Sequence, residues 1–155
     1  MFRLIALTLL LASPALAHSP LLDLSPKTRE APLVIDAPEH SKAIFSELTG
    51  APQFYQITSD EEFDFYVGIT AAKLESCGLK QTFSFRVLDA NFKEIDARDG
   101  AAMEWVPWFE EYGKNWYWVG PQIGEAFAHD RTYPAGTYYV EVFNTANAGE
   151  YVLAV

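Results

Sequence analysis

The chain has 155 residues, with 21 acidic side chains against 11 basic ones and a formal net charge of −10. Half of it is hydrophobic and 15% is aromatic, which excludes an intrinsically disordered chain, since such chains are poor in apolar and aromatic residues. The acid excess and the lack of any Lys/Arg run exclude nucleic acid and anionic membrane as partners, because both are held through clustered positive charge.

Residues 1–17 carry one charge, Arg3, followed by the apolar run Leu4-Ile5-Ala6-Leu7-Thr8-Leu9-Leu10-Leu11. Ser13-Pro14 and then Ala15-Leu16-Ala17, a small-x-small site, complete the pattern of a secretory signal peptide cut after Ala17. The expected location is therefore a bacterial periplasm or the medium beyond it. Removing these 17 of 155 residues leaves 138 and takes Arg3 away, so 21 acids face 10 basic groups and the charge becomes −11. That is one domain's worth of chain. No other stretch of 18 apolar residues follows, so no membrane span is expected in the mature chain. Cys77 is the single cysteine, which rules out an intramolecular disulfide; Lys73 and Lys80 are near it, but no local histidine supplies a base, and it reads as an ordinary thiol.

Residues 18–32 form an extended arm, since Pro20, Pro26 and Pro32 each remove an N–H and bias the preceding residue away from helix; Pro38 continues the spacing. Leu21, Leu22 and Leu24 suggest that the arm lies against the body. Residues 33–155 are expected to make one β-sandwich domain. Short strands are predicted at residues 33–35, 43–48 and 54–57, with Thr49-Gly50-Ala51-Pro52 as a turn. Phe63, Phe65, Val67 and Ile69 alternate with Asp64, Tyr66, Gly68 and Thr70, a period of two that predicts one half-buried strand. Phe83, Phe85 and Val87 alternate likewise, and Asp89-Ala90-Asn91 turns the chain toward residues 93–96. Two further strands are expected at residues 137–144 and 151–155, the latter either closing the fold or marking a fragment of a longer protein. With eight or nine strands and no long helix, the fold class is an all-β, antiparallel, jelly-roll-like sandwich. Its expected core is Phe63, Phe65, Val67, Ile69, Phe83, Phe85, Val140, Val142 and Val152.

The segments Pro134-Ala135-Gly136-Thr137-Tyr138-Tyr139-Val140-Glu141-Val142 and Gly149-Glu150-Tyr151-Val152-Leu153-Ala154-Val155 resemble the closing hairpin of bacterial pre-peptidase C-terminal domains, a family of jelly-roll sandwiches. FYQITSDEEFDFYVGIT resembles that family's strand–turn–strand opening, and FSFRVLDANFKEI its central strand and hairpin. The likeness spans residues 43–155 with a gap at 97–130. It implies a fold and an accessory or binding role, not a chemistry.

All four tryptophans fall in one window, Trp105, Trp108, Trp116 and Trp118, with Glu110, Glu111 and Tyr112 among them. Pro107 and Gly113 mark this as a long loop on the sandwich rim, the kind of place that carries function. It is either a core lid or a ligand surface. In the second case Trp108 and Trp116 are the exposed rings, Tyr112, Glu110 and Glu111 assist them, and Trp105 and Trp118 belong to the lid. Flat rings beside carboxylates suit a neutral carbohydrate, and an envelope protein is the other expected partner. No catalytic residue is assigned, because no Gly-x-Ser-x-Gly elbow, His-Glu-x-x-His helix or phosphate loop is present, so a non-enzyme is expected, with no cofactor. Two metal alternatives stand beside this. Cleavage would make His18 the N-terminus, where its amine and imidazole, with His40 or His129, would form a copper-binding nitrogen set. Asp60, Glu61, Glu62 and Asp64 offer oxygen ligands for calcium without the EF-hand spacing.

Overall fold

The computed structural model describes residues 19–74 and 78–155. Thirteen strands follow one another: β1 (Ser19–Leu22), β2 (Leu33–Ile35), β3 (Lys42–Thr49), β4 (Gln53–Ser59), β5 (Phe63–Asp64), β6 (Val67–Ala72), β7 (Ser84–Leu88), β8 (Glu94–Arg98), β9 (Val106–Glu110), β10 (Asn115–Ile123), β11 (Thr132–Tyr133), β12 (Gly136–Phe143) and β13 (Ala148–Ala154). They form a six-stranded sheet in the order β1-β3-β13-β6-β10-β9, a five-stranded sheet in the order β2-β4-β12-β7-β8, and a small β11-β5 pair. The protein is thus an all-β sandwich, with more strands than the eight or nine expected. The surplus comes from pieces of two to four residues and from the window expected to be a loop.

Alternation explains the layers. Ile44 and Leu48 on β3, Tyr151 and Leu153 on β13, and Val67 and Ile69 on β6 face Tyr55 and Ile57 on β4, Val140 and Val142 on β12, and Phe85 and Val87 on β7; all belong to one core cluster and none exceeds 2% exposure. Burying a side chain of this kind contributes about 1.5–3 kcal/mol. Consecutive strands β3 and β4, β6 and β7, and β12 and β13 lie in opposite sheets. The expected closing hairpin is therefore none: β12 pairs with β4 and β7, and β13 with β3 and β6. The turns cross the core instead of joining ladder neighbours. The β7–β8 hairpin does form, around Asp89.

Two expectations need correction. The antiparallel ladder is broken at its edges, where β1 runs parallel to β3 and β2 parallel to β4. The predicted single strand over residues 63–70 is split into β5, which pairs with β11, and β6, which is buried on both faces over Val67 to Ala71. Phe63 is only half-buried as a result, while Phe65 packs at 4.7 Å on Tyr133.

Prolines mark the margins of the sheets. Pro20 lies in edge strand β1, and Pro107 in edge strand β9, opposite Trp118. Ser19 donates its N–H to Ser41 O, just before β3, and Asp23 to Phe45 O of β3, so the intervening Pro20 N stands on the solvent side, where an N–H is not needed. The edge β2 is three residues long and lies between Pro32 and Pro38, and the edge β8 carries Glu94, Asp96 and Arg98.

The arm is held by a buried lysine. Lys27 is 2% exposed, and its Nζ donates to Asp23 O and Ser25 O at 2.8 Å and to Ser46 Oγ at 3.1 Å, with the Asp23 carboxylate at 3.5 Å. Its backbone N–H donates to Gln53 Oε1 at 2.6 Å. Burial pushes the Lys27 ammonium below its ordinary pKa, and Asp23 opposes that shift. Ser25 holds the Asp23 carboxyl below the usual carboxylate range by hydrogen bonding.

Candidate functional site

The window from Trp105 to Trp118 is not a loop. β9 and β10 make a hairpin that extends the six-stranded sheet, in the register Trp116↔Phe109 and Tyr117↔Trp108. Pro107 is compatible because β9 is an edge, and Gly113 with Lys114 (φ +57°) forms the turn. Glu110 ties that turn down by accepting the N–H of Tyr112 at 2.7 Å and that of Gly113. Aromatic residues favour strands because they cover a pleated surface well.

Alternation sorts the hairpin's side chains onto two faces. Trp108, Glu110 and Tyr117 line the outer face of the sheet, while Phe109 and Trp116, 5.2 Å apart, lie on the reverse face. Trp118 packs against the core on that reverse face, and Lys73 Nζ stands about equally over Trp116 and Trp118, at 5.5 and 5.4 Å. Trp105 is a core residue: it is 7% exposed, and its Nε1–H donates to Gly100 O at 2.8 Å. Its indole lies so close to Gly120 that a Cβ there would come within 2.3 Å of the ring. Trp108 and Trp116, expected to act together, are therefore on opposite sides of one hairpin. Trp116 is 47% exposed and Trp108 half-buried.

The outer face carries a trough of about 470 Å³. Its floor is Ala43, Phe45, Thr70, Val152 and Ala154. Val152, expected in the core, belongs to this floor, because Tyr151 and Leu153 on either side of it point inward. Trp108, Tyr117 and Phe127 make the wall, with Trp108 at 4.7 Å from Phe127 and 6.2 Å from Tyr117. Glu110, Tyr112 and Asn115 stand at the hairpin end and Pro20 at the arm end. Burial raises the Tyr117 pKa, and the nearby Glu110 charge adds to the shift. Of the five residues expected to form a ligand surface, the trough gathers Trp108, Glu110 and Tyr112. Trp116 lies on the reverse face, and Glu111 pairs with Lys114 at 2.9 Å in the exposed turn. Phe45, Tyr117 and Phe127 are not evident from the sequence; the alternation of Tyr117 with Trp116 and Trp118 is a usable signal for one of them.

His40 and His129 are exposed, and His129 Nε2 stands 3.3 Å from Asp64 Oδ2; His18 and Cys77 lie outside the described residues. Among the described residues no group of three or more His, Cys, Asp or Glu side chains is arranged to hold a metal ion, the acidic turn at residues 60–64 included. No described helix is long and apolar enough to cross a membrane.

No family model and no curated protein matches the chain. Among solved structures, the pre-peptidase C-terminal domain of collagenase from Bacillus anthracis is similar, with a TM-score of 0.41 and 12% identity over 88% of this chain and 94% of that one. A likeness of that degree assigns neither activity nor ligand.

Proposed function

We propose that the protein is an exported, non-catalytic binding module whose ligand surface is the trough between the β9–β10 hairpin and the outer face of the six-stranded sheet. One observation carries this reading: Val152 and Ala154 point away from the core yet are only 8% and 4% exposed, and an aromatic rim shields them, not a third layer. A concave, mostly apolar surface with a few polar groups at its end is the usual form of a ligand site. Export is supported by the leader pattern of residues 1–17, and the non-catalytic role by the missing hydrolase motifs. The trough suits an uncharged face, either the C–H side of a neutral sugar stacked on Trp108 or an apolar group of an envelope protein.

Nile red, an uncharged apolar dye, tests the surface. Saturable binding at one site is expected, weakened by Trp108→Ala and unaffected by Trp116→Ala, because only the first ring faces the trough. Neutral oligosaccharides and candidate envelope proteins are then added as competitors. No saturable dye binding, or equal losses from both substitutions, would refute the assignment. Intact mass of exported protein tests the cleavage after Ala17; a mass retaining residues 1–17 would overturn it.

A further inference from the structure

We infer that the trough and a second cavity form one ligand channel divided by the Phe127 ring, and that the ligand is an amphiphile with an aliphatic chain and a cationic head. This deepens, and rests on, the reading of the trough as a binding surface.

The second cavity, of about 510 Å³, has Ile57, Phe63, Phe65 and Tyr66 in its apolar lining. The two spaces approach each other at one end of β3 and β13: Ala43 and Ala154 line the trough, while Ser41 and Val155, just beyond those strands, line the second cavity. Phe127 lines both, with Trp108 of the trough at 4.7 Å and Tyr66 of the second cavity at 6.5 Å. The ring is carried by a two-residue turn. Glu125 and Ala128 exchange hydrogen bonds of 3.2 and 2.9 Å, and Ala126 and Phe127 between them have φ of +51° and +62°. Turns of this shape are usually filled by Asn-Gly, and a bulky side chain there is held against its backbone preference. What that position achieves is the placing of one ring between two cavities. The Phe127 N–H donates to Gln122 Oε1 at 3.3 Å, which fixes the backbone that carries the ring.

The two halves differ in charge. Beyond its apolar lining the second cavity presents Glu39, Glu62, Asp64 and His129, whereas Glu110 alone is acidic in the trough. No Lys or Arg lines either cavity among the described residues. His129 Nε2 stands 3.3 Å from Asp64 Oδ2, and the three carboxylates of Glu39, Glu62 and Asp64 outnumber it on a chain at −10. Complementarity then selects a positive head for the acidic half. At about 30 Å³ per water-sized group, the trough of about 470 Å³ has room for a chain of at most roughly sixteen heavy atoms.

The test uses the processed full chain with Nile red bound and three competitors of equal chain length below their micelle concentrations: dodecyltrimethylammonium, dodecyl maltoside and dodecanoate. The cation is expected to displace the dye at roughly tenfold lower concentration than the maltoside, with dodecanoate weakest. Glu62→Gln with Asp64→Asn should bring the cation within about twofold of the maltoside and leave the maltoside unchanged. Phe127→Ala, verified as folded by its melting curve, should improve binding of hexadecyltrimethylammonium relative to the dodecyl compound by joining the two spaces. If cation and maltoside compete equally while the dye still binds, the cationic head is refuted and the trough reading stands. If Phe127→Ala leaves the chain-length preference unchanged, the divided channel is refuted. If the dye itself fails to bind, the trough reading falls first.

Discussion

Replacing Lys27 by methionine tests how the arm is held and whether it matters to the trough. The ammonium makes three hydrogen bonds of 2.8–3.1 Å and one ion pair, all at 2% exposure. Hydrogen bonds to a charged group contribute about 1.5–3 kcal/mol each, and three of them give roughly 4–9 kcal/mol before the desolvation of the ammonium, which is several kcal/mol, is subtracted. Methionine nearly refills the volume, so little cavity cost is added. Asp23, at 23% side-chain exposure, can regain water, but Ser46, at 2%, cannot. The net loss is expected to be about 2–4 kcal/mol, below the roughly 3–5 kcal/mol typical when one partner of a fully buried pair is removed. For a domain of this size that lowers Tm by roughly 8–16 °C. Urea and thermal unfolding read the magnitude. Hydrogen exchange reads the place: the Ser19 and Asp23 amides, bonded to Ser41 and Phe45, should lose protection before the core does. Because Pro20 closes one end of the trough, Nile red affinity should fall as well. A loss under about 1 kcal/mol, or full protection of residues 19–23 in the variant, would refute the latch.

Phe85→Ala, at a site with 0% exposure, should cost about 3–5 kcal/mol in urea unfolding; under about 1 kcal/mol would place Phe85 outside the core. Burial pushes the Tyr55 hydroxyl up to about 12 and raises Tyr66 and Tyr151 as well, so these phenols hold their protons in the folded state beyond pH 10. The sign follows: their stabilisation is intact below pH 10 and is lost as pH rises from 10 toward 12, about 2–3 kcal/mol for Tyr55 alone. Absorbance at about 295 nm should show these tyrosines ionising only together with alkaline unfolding; their titration in folded protein near pH 10 would contradict the burial. Ala126→Gly, at φ +51°, should raise stability by about 0.5–1 kcal/mol by removing a Cβ from a left-handed position, and a lower Tm would count against strain there.

How much of the fold is legible in the sequence depends on how far each signal reaches. Apolar runs, turn residues and alternation locate β3, β4, β7, β12 and β13, because a pleat has a period of two whatever the fold around it, but on β13 the buried face is that of Tyr151 and Leu153 and not of Val152. Partnership is another matter. Nothing local distinguishes a turn that joins ladder neighbours from one that crosses the core, which is why the last two strands read as a hairpin and are none. Pro107 and Gly113 read as loop residues because their edge-strand and turn positions depend on what lies beside β9. Lys27 looks like any arm residue: its burial is created by Ser46 and Gln53, 19 and 26 positions away. Phe127 gives no signal because its turn consists of Ala and Phe, not the residues that usually announce that geometry.

The margins of the two sheets carry a consequence for how this molecule meets others. An exposed strand edge is a template, and copies of one chain at high local concentration present the same template to one another. Here every border of the two sheets is blunted, by Pro20, by Pro107, by the three-residue length of β2 and by the alternating charges of β8. Among the described residues, stacking through backbone hydrogen bonds meets a proline, a short strand or charged side chains at each of these four edges. The lining of the trough lies on a sheet face, so it can change while these four edges keep their prolines, short length and charge.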